Sequence, residues 1–509
     1  MLPAELSDNP RAACHACVPP TIHHHHRHHT SGITVSTIDF KWSAAAAQLH
    51  AHGQSRLETA LGNAIDSLLP TDSDVARATF DIGGSALTAY LGNGATLAVG
   101  GLGLGLGLGQ SVITADNLHL YRAGVGSIEL PGQYAIRYAL VNGAPQIQGF
   151  TGQVSSVAIT SQWQPGSAGY DAAIGNVSVR ATGSLALDES LAVRGRLTEL
   201  AFSTTSGIMQ GSVQGDFVAG GQGDFSSATV TAANFSYADG SFLRAGDARI
   251  DASDLTLSGV AAALGNAANF GGDDVFNLDV ATSDILPMID SGYGNDRIVL
   301  TGGADFNVAT GAGDDVVTLL KGRSSIQGGD GFDTAVIAGK QADFSASQMG
   351  TWNVFIGVGS NEGHSASLQS VERVLFDDGA VAFDIDGHAG QAYRLYTAAL
   401  GRAPDAAGLG YWVSVLDSGA SLRDVANGFV AGDEFASLVV GADSTTFLVK
   451  LYGNILHRAP DTSGLQYWQG ILDGGGDRAE VVAAFSESTE NQAQVIADIQ
   501  HGIAYTPYG

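Results

Sequence analysis

Residues 328–336 read Gly-Gly-Asp-Gly-Phe-Asp-Thr-Ala-Val, and this stretch decides the fold of the middle of the chain. It fits the nine-residue pattern G-G-x-G-x-D-x-U-x, in which U is apolar, a glycine turn carries a carboxylate and a short strand follows. Glycine allows positive φ, so backbone carbonyls can turn toward one point, while the aspartate supplies a hard, charged oxygen ligand. The stretch therefore predicts a stacked parallel coil in which calcium binding and folding are one event.

Four copies of a Gly-x-Asp signature precede this one and end at Asp274, Asp296, Asp305 and Asp315. Each nine-residue unit of such a coil makes half a turn, so turns on the same edge lie about eighteen residues apart. Asp296, Asp315 and Asp333 follow one another at this spacing, which predicts that they stack on one edge and form two calcium sites. A set of Gly-Asp hairpin turns without an ion is the alternative interpretation.

The remaining copies fit this spacing less well. Asp305 belongs to the opposite edge, where Arg323 and Ser324 follow at the next turn, so we expect that edge to be empty or weakly bound. The interval from Asp274 to Asp296 is longer than one full turn, which predicts an out-of-phase entry turn at Asp274. The candidate ligands and the glycines that shape their turns are Asp274, Asp296, Asp305, Asp314, Asp315, Asp333, Gly294, Gly313, Gly329 and Gly331.

These repeats resemble the RTX (repeats-in-toxin) proteins of bacteria, whose parallel β-roll binds calcium between its turns. The resemblance implies a type I secretion exporter as a partner and an uncleaved export signal near the C-terminus. The sequence contains only Cys14 and Cys17, so no disulfide framework is expected. No run of eighteen apolar residues and no basic start followed by an apolar segment occurs, so we expect neither a membrane span nor a Sec-type signal.

Composition limits the possible partners. The net charge of -28, with only 23 Lys and Arg in 509 residues, argues against nucleic acid or an anionic membrane surface. The 69 glycines and the low charged fraction of 15% indicate turn-rich β structure rather than disorder. The length predicts several domains.

We predict four regions. Residues 1–32 form a disordered His-rich leader, in which Cys14, Cys17 and the histidines at 23–26, 28 and 29 could bind zinc, nickel or copper or could simply be solvated. Residues 33–265 form a helix, predicted over Ser43–Leu69, followed by a β domain. Residues 266–387 form the calcium-binding coil with flanking strands, and residues 388–509 form two helical repeats and a tail.

The β domain is predicted to be a β-solenoid or a β-sandwich. Strand-like segments separated by Gly, Asn, Asp and Ser fill residues 75–265. An irregular motif, in which one apolar position is followed by others three and five positions later, begins at Val154, Leu197 and Val230. The alternating leucines of Leu102–Gly109 predict a strand whose glycine face packs closely on another element, or alternatively a sticky edge for assembly or lipid contact.

The C-terminal region contains a true repeat. Arg402-Ala403-Pro404-Asp405 followed by Tyr411-Trp412 recurs as Arg458-Ala459-Pro460-Asp461 followed by Tyr467-Trp468. Each copy, 388–441 and 444–500, predicts a helical unit in which Asp405 or Asp461 caps a helix that carries Tyr-Trp inward, and Ser421 begins a capping box. The repeat resembles a helical domain of unknown function found, often in tandem, at the C-terminal end of RTX-like exported proteins.

Catalytic signatures are lacking in the sequence. Neither H-E-x-x-H nor G-x-S-x-G occurs, which weakens zinc-protease and lipase interpretations. We therefore expect a non-enzymatic, calcium-binding, secreted or cell-surface protein with a structural or adhesive role, self-assembly or matrix polysaccharide being possible partners. The alternative is a secreted carbohydrate-active or other hydrolase with two carboxylates in residues 75–265.

Overall fold

The computed structural model describes residues 36–43, 56–57, 59–106, 111–141, 144–187, 193–220, 225–251, 266–281, 288–439 and 442–508. The predicted His-rich leader lies outside them, as do residues 44–55 and 58 of the predicted N-terminal helix and residues 107–109 of the leucine-glycine run. The described residues are mainly β, with a helical C-terminal region, as the sequence predicts. None of the described helices is both long and apolar enough to cross a membrane.

An antiparallel meander forms the N-terminal part. Its strands are β1 (Thr37–Trp42), β2 (Thr79–Gly83), β3 (Ala86–Tyr90), β4 (Thr96–Gly100), β5 (Gly103–Leu106), β6 (Ser111–Arg122), β7 (Gly126–Val141), β8 (Ala144–Ser161), β9 (Val177–Leu187), β10 (Val193–Thr204), β11 (Met209–Gly220), β12 (Phe225–Tyr237) and β13 (Phe242–Asp251). From β6 to β13 each strand pairs with the next one in the chain. The expectation of a β-solenoid or a β-sandwich was wrong, because successive strands pair antiparallel as neighbours of one sheet.

The irregular apolar motif of this sheet marks β-bulges. The register shifts directly after Val154 in β8, Leu197 in β10 and Val230 in β12. A bulge adds one residue to a strand, so the next inward-facing position comes three positions later instead of two. Helix α1, residues 59–68, packs through the buried Ala60 near Ile174. The short helix α2 (Asp72–Ala76) follows it.

Residues 266–382 alternate between two parallel sheets. The first contains β14 (Val275–Val280), β16 (Arg297–Thr301), β18 (Val316–Leu319), β20 (Thr334–Ile337) and β24 (Arg373–Phe376). The second contains β15 (Ile289–Asp290), β17 (Phe306–Ala312), β19 (Arg323–Asp330) and β23 (Ser365–Gln369). We call this arrangement the parallel coil. Strand β1 pairs with β13 on one side and in parallel with β14 on the other, so it joins the meander to the coil.

Further elements flank the coil. A hairpin of β21 (Phe344–Met349) and β22 (Trp352–Gly357) pairs antiparallel with β23, while β25 (Gly379–Ala382) pairs with β24 and with the C-terminal β26 (Ile503–Tyr505). Short 3-10 helices lie at Ala267–Asn269, Gln341–Asp343 and Gly359–Asn361.

In the residues that the structure describes, the helical region contains two sets of four helices. The first set is α3 (His388–Leu400), α4 (Ala406–Asp417), α5 (Leu422–Ala431) and α6 (Asp433–Leu438), and the second is α7 (Ser444–Ile455), α8 (Thr462–Asp473), α9 (Arg478–Ser486) and α10 (Thr489–Ile499). The predicted caps are confirmed, since Asp405 and Asp461 accept the N–H groups of Gly408 and Gly464. The Ser421 capping box is also present.

Candidate metal-binding edge of the parallel coil

One edge of the coil carries a continuous row of hydrogen bonds between backbone and carboxylates, here called the inner ladder. The N–H of Ser36 donates to Oδ1 of Asp274 at 2.7 Å, and the N–H of Asp274 donates to Oδ1 of Asp296 at 2.8 Å. The N–H of Asp296 donates to Asp315 at 2.7 Å, and that of Asp315 donates to Asp333 at 3.0 Å. Asp333 finally donates to Oε2 of Glu372 at 2.8 Å.

The structure thus brings Asp296, Asp315 and Asp333 onto one edge, and it adds Asp274 to them. The out-of-phase placement predicted for Asp274 was wrong, because β14 and β16 pair in register, with Val275 opposite Arg297.

The four aspartates of the inner ladder are buried, with at most 2% of their surface exposed. Each uses Oδ1 to accept a backbone N–H, but the Oδ2 atoms of all four are buried without a hydrogen-bond partner. An unpaired buried carboxylate oxygen costs free energy in the absence of a compensating donor or cation. Four such atoms in successive turns therefore mark an edge where ionised carboxylates are costly unless a proton, a donor or a cation compensates them.

Burial changes the acidity of these side chains. Loss of solvent raises the pKa of Asp296 and of Asp333 from 3.8 to about 7. The pKa values of Asp274 and Asp315 are raised as well, again chiefly by burial. The ladder is thus a place where negative charge is unfavourable unless a positive charge lies close by.

Three buried hydroxyls, those of Ser36, Ser291 and Thr310, stand beside this row. Those of Ser291 and Thr310 partly oppose the rise in the pKa of Asp296 and of Asp315. The hydroxyls of Ser291 and Thr310 nevertheless donate to backbone carbonyls. The Ser291 hydroxyl donates to the carbonyl of Thr310 at 3.1 Å, and the Thr310 hydroxyl donates to the carbonyl of Gly328 at 2.8 Å. The hydroxyl oxygens therefore remain able to accept or to act as ligands next to the unpaired Oδ2 atoms.

Glycines bring successive turns into close contact. Gly294, Gly313 and Gly331 have φ values of 123°, 137° and 134°, in the region that side chains disfavour. A Cβ atom at Gly313 would lie 2.0 Å from the carbonyl oxygen of Gly294, and one at Gly331 would lie 2.1 Å from that of Gly313. Gly329 packs in the same way on Gly311. Only glycine permits this stacking, which places backbone carbonyls between the turns.

A second row, the outer ladder, runs beside the first but is exposed. The N–H of Asn295 donates to Asp273, that of Asp314 to Asn295, and that of Phe332 to Asp314, at 2.8 to 2.9 Å. Asp314, a candidate ligand, therefore lies in the outer ladder. Asp305 lies exposed on the other edge, where its Oδ1 accepts the N–H of Arg323 at 3.1 Å.

Sequence reasoning missed the two ends of the inner ladder and its buried hydroxyls. Ser36 lies in the N-terminal strand region, and Glu372 follows Asp333 only after the β21–β22 hairpin interrupts the period of the coil. Ser291 and Thr310 occupy the first position of two of the nine-residue units. Because each stands five positions before an aspartate of the ladder, the same spacing could have revealed them.

The set of possible cation ligands is limited. Within the described ranges, no point brings together three side chains of His, Cys, Asp or Glu. Each turn of the inner ladder contributes one carboxylate, so a cation there would take its remaining oxygen ligands from backbone carbonyls and hydroxyls. Hard divalent cations such as Ca²⁺ accept such mixed oxygen ligands.

The hydrolase alternative requires two carboxylates in a cleft of the meander. Its surface has a concavity of about 630 Å³ across β6 to β10, whose lining includes Tyr134, Gln153 and Arg194. Of the described residues that line it, only Asp116 carries a carboxylate.

The helical repeats use their shared residues mainly for packing. Trp412 stacks on Phe429 with ring centres 4.7 Å apart, and Trp468 lies 5.2 Å from Phe485. The tyrosine before each tryptophan does not face inward as predicted, since Tyr411 is 39% and Tyr467 63% exposed.

The comparisons with known proteins concern this helical region. Residues 388–439 and 426–495 match a family described as a domain of unknown function, DUF4214. No curated protein and no solved structure matches the chain.

Proposed function

We propose that this protein is a calcium-binding, exported structural or adhesive protein whose parallel coil becomes stable when calcium binds along the inner ladder. The observation that carries the proposal is the row of four buried Oδ2 atoms, at Asp274, Asp296, Asp315 and Asp333, without hydrogen-bond partners. The chemistry of this set fits a hard cation, because carboxylate and carbonyl oxygens are the ligands that calcium prefers.

Calcium would act between successive turns. Neighbouring aspartates of the inner ladder flank three spaces between turns, from Asp274 to Asp296, from Asp296 to Asp315 and from Asp315 to Asp333. Each space therefore has a carboxylate on both sides, and glycine carbonyls lie between the same turns. A cation there neutralises carboxylates that burial otherwise destabilises. It therefore adds stability to the folded coil that the unfolded chain does not gain.

This mechanism suits export through a type I system, as the likeness to RTX proteins suggests. At low calcium the coil would be poorly stable and the chain could pass the exporter unfolded. At a calcium concentration one hundredfold above Kd the bound ion contributes about 2.7 kcal/mol per site. Because β1 pairs with both β13 and β14, ordering of the coil would be transmitted to the meander.

A comparison of two Asp→Asn variants tests the proposal. In Asp296→Asn the remaining oxygen can still accept the N–H of Asp274, but the free Oδ2 is replaced by an amide NH₂. Asp273→Asn is the matched control, since Asn295 already performs the equivalent role in the outer ladder. Calcium should raise the Tm of the wild type and of Asp273→Asn, and the rise should be largely lost in Asp296→Asn, as measured by calorimetry in calcium and in chelator.

Two results would contradict the proposal. One is a Tm and a circular dichroism spectrum of the wild type that are the same in calcium and in chelator. The other is an equal calcium response of Asp296→Asn and Asp273→Asn, which would separate calcium binding from the inner ladder.

A further inference from the structure

A second site lies away from the inner ladder, where the β21–β22 hairpin meets the C-terminal strand. The cavity there has a volume of about 490 Å³, within the range of about 300–1,000 Å³ typical of small-molecule sites. We call it the junction pocket and define it by Gln341, Gln348, Asn353, Phe355, Phe383 and His501, which line it.

The β21–β22 hairpin forms the floor of the junction pocket. Gln348 lies opposite Asn353, and Ala346 lies opposite Phe355, so both pairs share the same face of the two strands. Phe355 is 3% exposed, and its ring packs edge-on against Phe383 at 6.3 Å. The carboxamides of Gln348 and Asn353 thus line the same pocket as the ring of Phe383, which is only half-buried.

The opposite wall comes from the C-terminal segment. β26 pairs with β25, and Gly502 lies so close that a Cβ there would be 2.7 Å from Val381 and 2.9 Å from Phe383. His501 reaches across the pocket, with its Nδ1 3.3 Å from Oε1 of Gln348. Residues from two distant parts of the chain therefore hold the pocket in shape.

The polar groups of the pocket are uncharged amides and an imidazole. Among the described residues that line it there is no Asp, Glu, Lys or Arg, although the chain as a whole has a net charge of -28. Within the described part of the chain, neither the carboxamide of Gln341 nor that of Asn353 makes a hydrogen bond. A carboxamide presents both donors and acceptors, as a ligand rich in hydroxyl groups requires.

We propose that the junction pocket binds a neutral carbohydrate. The carboxamides and the imidazole would exchange hydrogen bonds with sugar hydroxyls, while the C–H face of the sugar would pack on the half-buried ring of Phe383. An anionic sugar would find no Lys or Arg in the pocket and a cationic one no carboxylate, so the site selects uncharged sugars. The site is independent of the inner ladder and of calcium as a ligand.

Saturation-transfer NMR of the full chain in calcium, with methyl glycosides of glucose, galactose, mannose and N-acetylglucosamine, tests the proposal. Glucuronate and glucosamine serve as charged probes. At least one neutral glycoside should bind. Asn353→Ala and Gln348→Ala should each weaken binding by about tenfold, the effect of losing one or two hydrogen bonds to the ligand.

Two further variants make the result specific. Ala346→Trp fills the pocket from the exposed face of β21 and should abolish binding, whereas Gln327→Ala removes an exposed carboxamide from β19, outside the pocket, and should leave binding unchanged. Folding of each variant is checked by circular dichroism. Failure of all neutral glycosides to bind, preference for a charged probe, or equal binding by Asn353→Ala and Gln327→Ala would each overturn the proposal.

Discussion

At the scale of single residues, the important feature of the inner ladder is that each aspartate lacks a hydrogen-bond partner for its Oδ2 atom. One oxygen of each carboxylate accepts a backbone N–H, whereas the other is buried without a partner. Protonation or a cation can each relieve the cost of that arrangement. The two compete for the same oxygens, so the metal-free protein should depend on pH in a way that the calcium-bound protein does not.

The metal-free protein should become less stable as pH rises from about 4 to about 7. The folded pKa of Asp296 and of Asp333 is about 7, above the ordinary 3.8, so in this window the folded state binds more protons than the unfolded state. Stability then falls with rising pH. Urea unfolding in chelator at several pH values measures this slope, and Asp296→Asn should make it shallower. Parallel slopes for the two proteins would refute the contribution of Asp296.

A glycine substitution tests the stacking of the turns. Gly313→Ala places a Cβ 2.0 Å from the carbonyl oxygen of Gly294, whereas Gly303, with a φ of 94°, has open space around it. Both variants introduce backbone strain of about 1–3 kcal/mol, but only Gly313→Ala also separates two turns. We expect Gly313→Ala to lower the free energy of unfolding more than Gly303→Ala, as measured by denaturant titration. Equal losses would show that the turns tolerate separation.

At the scale of elements, three bulges of the meander, in β8, β10 and β12, have the same hydrogen-bonding arrangement. The bulge positions Ser155, Thr198 and Thr231 each direct a hydroxyl to a carbonyl of the neighbouring strand, at Pro131, Thr182 and Gln214. A bulge disrupts the regular ladder and leaves backbone groups without strand partners. A hydroxyl residue at the bulge replaces the missing donor.

Removing one of these hydroxyls should have a measurable effect. Thr198→Val keeps the shape of the side chain but leaves the carbonyl of Thr182 without its 3.2 Å donor. We expect a loss of about 0.5–1.5 kcal/mol in the free energy of unfolding. Thr229→Val, outside the bulge on β12, controls for the β propensity of valine. An equal change in the two variants would contradict a role for the bulge hydroxyl.

At the scale of the whole molecule, Arg373 connects the coil to the helical region. Its guanidinium is buried, forms ion pairs with Asp384 and with Asp417, and lies over the ring of Phe332 at 4.8 Å. On its other side lies Tyr505 of the C-terminal strand, with 5.9 Å to the ring centre. Arg373 also follows Glu372, the end of the inner ladder.

Loss of this guanidinium should uncouple the two regions. Arg373→Met leaves Asp384 buried without its ion-pair partner, which typically costs about 3–5 kcal/mol. Calorimetry should then show separate unfolding transitions for the β part and the helical part, and Arg373→Met with Asp384→Asn should recover part of the loss. Unchanged calorimetric unfolding would contradict the coupling.

The sequence by itself determined the periodic features. The spacing of Asp296, Asp315 and Asp333 predicts their stacking because the coil has a fixed period. The recurrence of the motif of Arg402 at Arg458 predicts two helical units because local capping and apolar spacing define each helix. Catalytic motifs and charge can likewise be read locally. A short strand pattern also predicts inward-facing positions, but not which strand becomes its neighbour.

Only the tertiary structure decided where the period of the coil is interrupted and which strands become neighbours. Asp274 joins the inner ladder because β14 pairs in register with β16, and Glu372 ends it because the β21–β22 hairpin interrupts the coil before β23 and β24. The pairing of β1 between β13 and β14 and the assembly of the junction pocket from residues 341 to 355 and 381 to 504 depend on contacts between distant parts of the chain. Such contacts are set by packing and backbone pairing across long separations, which no local pattern encodes.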